Sequence, residues 1–397
     1  MMNNQKIRVA FTHGDTNGIG YELIFKAFSE PDMFEICTPI IYGSPKIAAY
    51  HCNALGLADN LFSIINNAAE AKAGRLNLIP AFDEEIKVEL GVPTQEGSRA
   101  AVQSIDRAIT DYKDGLYDVL ITCPIDKNNM HIDGFSFPCN EKFIETCIGD
   151  GKKGLPILIN DRLRMVLMTD DISLKNVSDA ITKEAIIEKT ALLFTTLRRD
   201  FRISNPRIAV LALNPNSTAG HPGKEEAEAI IPAVQALSDV GVQIFGPYQA
   251  DNLFGSCDYM AFDGIIAMYH DQGIIPFKAL DSDSSICYLS GLPLVSASPD
   301  LTPCFDIAGQ GKAHVDAFRK AIYQAIDSFR NRKNYDEPYA NPLPKLYHER
   351  RDESEKVRFS IPRKRDGNAK ESQGLAFPCH FIAFPRSYRH GKSLLYA

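Results

Sequence analysis

A histidine, an aspartate and a lysine share one short segment, AMYHDQGIIPFK, as His270, Asp271 and Lys278. An imidazole beside a carboxylate suits metal binding or proton transfer, because the carboxylate fixes the ring's tautomer and raises its basicity. A lysine nearby offers a cation to a phosphate or a carboxylate. The segment follows an apolar run, 264–268, and so opens at the carboxyl end of a strand, where α/β proteins collect ligands. Read alone, His270 fits a metal ligand and a polar loop residue equally well.

Three further segments have the residue types for binding. GDTNGIGYE, residues 14–22, places three glycines between a strand and a helix, so the backbone turns tightly and the helix start offers N–H groups to an anion. It is not GxGxxG, and a plain strand–helix turn reads the same way. TCPIDK, residues 122–127, ends an apolar strand with Lys127, either an anion contact or a solvated loop lysine. LNPN…GKEE, residues 213–226, ends a strand at Asn214 and opens a helix at Glu225 and Glu226. Glutamates in a first turn suit the helix dipole, so their reading is structural.

These segments need a scaffold that gathers strand ends. Continuous apolar runs at 7–11, 39–42, 119–122, 164–168, 208–213 and 264–268 predict strands covered on both faces. Longer periodic stretches at 20–28, 98–111, 183–200 and 225–237 predict helices between them. Alternating strands and helices predict an α/β fold with a mostly parallel sheet, divided between two domains.

Composition narrows the class. The chain has 397 residues and a net charge of -7, which argues against nucleic acid as a partner. No run is long enough for a membrane span. Nine scattered cysteines without a CxxC pair match reduced intracellular thiols, and the N-terminus has no signal-peptide pattern, so a cytoplasmic location is expected. Residues 356–397 hold nine Lys/Arg against two Asp/Glu. This basic tail, 347–397, mixes breakers with apolar pieces and reads as a poorly ordered extension.

In order and spacing the segments resemble the 4-hydroxythreonine-4-phosphate dehydrogenase family of vitamin B6 biosynthesis, from about residue 6 to about residue 346. GDTNGIG, TCPIDK, MYHDQG, FDIAGQGKA and the GLP at 291–293 carry the likeness. It implies two α/β domains like those of isocitrate and isopropylmalate dehydrogenases. The first would span 1–128 with 306–346 and the second 129–305, around a cleft that a second copy completes in a homodimer. It also implies NAD-dependent oxidation and decarboxylation of a small phosphorylated hydroxy acid, with a divalent metal held by three histidines.

The family's metal motif TTH reads Thr169-Asp170-Asp171 here, and its NPHAG reads Asn214-Pro215-Asn216-Ser217-Thr218; the third histidine is His270. Its GHTE reads Cys139-Asn140-Glu141-Lys142, its substrate asparagine aligns with Cys287, and its substrate arginine aligns with Ser296. Its DHGTA reads Asp300 to Cys304. By resemblance, then, the candidate catalytic groups are Lys278, Asp271 and Asp251. The substrate contacts are Lys278, Asn140, Glu141 and Lys127, and the NAD contacts are Asp15, Gly18, Gly20 and Asn214. The metal ligands are His270, Asp171 and Asn216. Glu141 sets a negative charge where an anionic substrate group belongs. Polar groups are replaced together while glycines, prolines and apolar strands persist. Two alternatives to the family reaction follow: a non-catalytic or binding paralogue on this scaffold, and a dehydrogenase of altered substrate with a carboxylate-rich metal site.

Overall fold

The computed structural model describes residues 6–58, 61–82, 86–126, 131–132, 135–137, 139–217 and 221–340, all within one compact unit. Lys127 and the basic tail lie outside the described residues. The strands are β1 (Ile7–Thr12), β2 (Cys37–Gly43), β3 (Phe62–Ile64), β4 (Leu76–Pro80), β5 (Val119–Thr122), β6 (His131–Ile132) and β7 (Phe135–Ser136), then β8 (Leu155–Ile159), β9 (Arg164–Leu167), β10 (Arg207–Leu211), β11 (Gln243–Tyr248), β12 (Gly264–Ala267), β13 (Ile286–Ser290) and β14 (Val295–Pro299). The helices are α1 (Gly20–Ala27), α2 (Met33–Ile36), α3 (Pro45–Ala54), α4 (Gln95–Lys113), α5 (Asn140–Ile148), α6 (Val177–Ala180), α7 (Lys183–Arg199), α8 (Ile231–Asp239), α9 (Ala250–Gly255), α10 (His270–Leu280) and α11 (Asp316–Ala340). A π-helical stretch, Glu226–Ile230, leads into α8.

Twelve strands form one sheet in the order β11-β10-β12-β9-β8-β13-β14-β5-β1-β2-β4-β3. The six strands from β14 to β3 pair in parallel. So do β9, β12, β10 and β11. Between these blocks, β13 and β8 pair antiparallel with each other and with their outer neighbours. Three direction reversals across that junction mean that the two parallel blocks run opposite ways, so their carboxyl ends lie at opposite edges.

All six expected strands are present, and β2 and β5 are buried at every position, as their apolar runs require. Helix starts follow the capping chemistry: Ser44, Thr94 and Thr182 accept hydrogen bonds from the N–H groups of Ile47, Gly97 and Ala185. One apolar cluster runs from β1 and α1 through β13, β14 and α11 to α7, β10 and β12. Across it, buried Arg332 of α11 forms a two-pronged pair with Asp200, the residue that closes α7, at 2.8 and 2.9 Å. Tyr288 of β13 donates its hydroxyl to the same carboxylate at 2.7 Å.

Candidate active site

Three of the candidate residues follow three adjacent strands. Asp171 comes after β9, Asn216 after β10 and His270 directly after β12. Parallel neighbours deliver their carboxyl ends to one edge, so the fold carries these loops to the same edge of the sheet. All three residues are exposed, and Asn216 is held at a φ of 59°, in the left-handed region. His270 Nδ1 donates to Asp271 Oδ1 at 2.8 Å, which leaves Nε2 with its lone pair toward solvent. This pair is built to take a proton or to contribute one ligand to a metal ion.

The second group lies elsewhere. Lys278 is eight residues along α10 from His270, about 12 Å at 1.5 Å per residue. Its Nζ pairs with Asp300 Oδ2, just past β14, at 3.2 Å. Cys287 of β13 faces Glu141, Asp300 and Cys139; burial and these neighbours push its thiol well above the ordinary range, and Glu141 shares a hydrogen bond with it. Glu141 and Asn140 occupy the first turn of α5. Lys278 and Glu141 therefore gather around Asp300 and Cys287, with Asn140 next to Glu141 at the start of α5, whereas His270 and Asp271 stand at the other end of α10. Asp251, exposed in the first turn of α9, has no hydrogen bond or ion pair to either group among the described residues.

A metal centre needs several ligands converging on one point. Among the described residues no group of three or more His, Cys, Asp or Glu is placed to hold a metal ion. His270, Asp171 and Asp271 therefore do not form such a group.

The Gly14–Gly20 turn is a packed structure. Residues 12–25 are buried throughout. A methyl group added at Gly20 would meet the His13 carbonyl at 1.9 Å, at Gly18 the Pro303 carbonyl at 2.9 Å, and at Gly14 the Pro124 carbonyl at 2.4 Å. The glycines let protein backbone approach protein backbone here. Asp15 accepts from Asn17 N at 3.0 Å and from Ser98 Oγ at 3.1 Å, and burial raises its carboxyl to about 6. The fit of this turn to a dinucleotide is poor, because the space beside each glycine is taken.

Side chains whose part in this the sequence did not show hold the strand ends. The side-chain amide of Asn214 donates to both Glu225 and Glu226 at 2.9 Å. Glu226 is fully buried and accepts from the N–H groups of Leu213 and Asn214. Lys189 of α7 and Gln272 of α10 also bind strand-end backbone. Of these, all but Lys189 fall inside quoted segments; Lys189 has no signal beyond its place in a helix.

Residues 35–325 match the family described as pyridoxal phosphate biosynthetic protein PdxA. The chain belongs to the PdxA family. It is 48% identical over 359 residues to a 4-hydroxythreonine-4-phosphate dehydrogenase of Bacteroides thetaiotaomicron, covering 90% of this chain and 98% of that protein. A relative of the same name from Sulfurihydrogenibium is 35% identical, covering 82% of this chain and all of that one. The solved structure of a putative 4-hydroxythreonine-4-phosphate dehydrogenase from Salmonella typhimurium aligns with a TM-score of 0.71 at 27% identity, over 82% of this chain and 100% of that chain. The PdxA relationship and the mixed α/β sheet agree with the resemblance drawn from the motifs.

Proposed function

We propose that this chain is a dehydrogenase acting on the hydroxyl group of a small phosphorylated hydroxy acid, with 4-hydroxythreonine 4-phosphate as the first candidate. The observation that carries this is the 48% identity to a protein of that name over nearly its whole length. NAD and a divalent metal ion belong to the reading by family resemblance; the Gly14–Gly20 turn is too closely packed to be the NAD contact, and His270, Asp171 and Asn216 are the residues that would hold the metal. Within the chain, Lys278 binds the anionic end of the substrate, and Asp271 orients the His270 ring for its role as a ligand. Lys278 and His270 sit about 12 Å apart on α10. A homodimer in which each site draws on two chains belongs to the reading by the same resemblance. The division into 1–128 with 306–346 and 129–305 supplies the cleft. No helix among the described residues is long and apolar enough to cross a membrane, which fits the proposed cytoplasmic location.

A second reading, a binding protein without turnover, has its own support. Asp300 already occupies Lys278, and Glu141 adds a negative charge beside them. NADH formation from 4-hydroxythreonine 4-phosphate, NAD and Mn2+ decides between the two. Metal-dependent turnover establishes the dehydrogenase. No turnover, together with no thermal shift by NAD or Mn2+, removes it and leaves the binding protein.

A further inference from the structure

We propose that Lys189, Glu226 and Gln272 are positioning residues that fix the three strand-end loops carrying Asp171, Asn216 and His270. This rests on the reading that those loops carry the reactive groups. The last residues of a strand lose their ladder partners, so their N–H and C=O groups turn to water unless side chains take them. Here each strand end is taken by a side chain from a neighbouring helical element. Lys189 Nζ donates to the carbonyls of Leu167 and Met168, both at 2.9 Å, where β9 gives way to the loop of Asp171. Glu226 Oε1 accepts from Leu213 N at 2.7 Å and Asn214 N at 2.8 Å, two residues before Asn216. Gln272 Oε1 accepts from Met268 N at 2.7 Å, two residues before His270.

Gln272 also joins two of the loops. Its Nε2 donates to the Ala212 carbonyl at 2.6 Å, at the end of β10. One side chain thus holds the β12–α10 turn on one side and the start of the Asn216 loop on the other. The β9 loop is tied to the same turn, since Thr169 donates both its N–H and its hydroxyl to the Met268 carbonyl, at 3.2 and 2.8 Å. Charged donors and acceptors make the Lys189 and Glu226 contacts strong ones. Lys189 is half-buried, and burial lowers its ammonium, an effect opposed by the Asp170 carboxylate beside it. The three loops are therefore set relative to one another before any ligand arrives, which is what a reacting geometry requires.

The experiment uses the full-length chain with Gln272→Leu and Gln272→Glu. Hydrogen exchange is followed in segments 212–216 and 268–271, beside kcat and KM for 4-hydroxythreonine 4-phosphate with NAD and Mn2+. The leucine removes both links, so exchange rises about tenfold in both segments. The glutamate keeps an acceptor for Met268 N but turns an oxygen toward the Ala212 carbonyl, so only 212–216 loosens. For the leucine variant kcat falls roughly a hundredfold while KM for NAD changes less than about threefold, with the glutamate variant between. Unchanged exchange at 212–216 in both variants overturns the proposal, as does unchanged kcat with loosened loops. If the leucine variant unfolds, the glutamate variant decides alone. If the wild-type chain shows no turnover, the dehydrogenase reading fails, and the exchange pattern still tests the coupling of the loops.

Discussion

Lys278 Nζ stands 3.2 Å from Asp300 Oδ2, so the cation expected to meet an anionic substrate is already partnered. Both side chains are partly exposed, and an exposed pair contributes little to stability. Its effect falls on binding, because the carboxylate competes with the incoming anion. Asp300→Asn should lower KM for a phosphorylated substrate by about tenfold, while Lys278→Met raises it. Steady-state kinetics on both variants checks this; a KM unmoved by Asp300→Asn removes the competition argument.

Glu141 acts on Cys287 in the same cluster. The carboxylate beside the thiol disfavours the thiolate, added to the effect of burial. Glu141→Gln should bring the thiol down toward the ordinary cysteine range and speed its alkylation by iodoacetamide at mildly alkaline pH. Peptide mass spectrometry reads the rate at Cys287 directly, with exposed Cys257 as the internal reference.

Asp200 and Arg332 are nearly fully buried, and Arg332 donates as well to the carbonyls of Leu292 and Pro293. Removing one partner strands the other charge in the core. Asp200→Asn should destabilise the chain by about 3–5 kcal/mol, measured by urea unfolding. An apolar replacement of both residues together should cost less than the single change.

Two buried groups near the N-terminal turn give opposite pH dependences. Burial lowers His13 to about 4. Its neutral form stabilises the fold above the unfolded value of 6.5, and that contribution is lost as pH falls toward 4. Burial raises Asp15 to about 6, so its contribution is fully present below 3.8 and is lost as pH rises through 6. Between these limits the two slopes oppose each other. Asp15→Asn should leave stability rising with pH across this window, and His13→Gln should leave it falling, each by up to about 2 kcal/mol. Urea unfolding at several pH values measures both slopes.

The parallel strands were legible because both their faces are apolar, as in Val119–Thr122. β13 and β14 were not: ICYLS and VSASP mix cysteine and serine into short strands around a glycine-led turn. β11, with Gly246-Pro247 inside it, reads as a turn. At the site, His270, Asp271 and Lys278 were visible because one helix carries them. The contacts of Asp300 and Glu141 were not, since strand pairing and the start of α5 create them. The acidic pair at Glu225–Glu226 was read as a helix-dipole feature, whereas the Glu226 carboxylate spends its acceptors on loop backbone. A dipole argument sees only the residue's own helix. The Gly14–Gly20 turn shows the reverse: its glycines are needed, but for close packing.

The eight-residue step from His270 to Lys278 has a consequence for how this chain tolerates length changes. Each residue inserted into α10 would turn Lys278 by about 100° and shift it by about 1.5 Å relative to His270. A single insertion would thus swing the lysine off Asp300 while leaving the histidine in place. The phase of that helix is as tightly specified as the residues at its two ends.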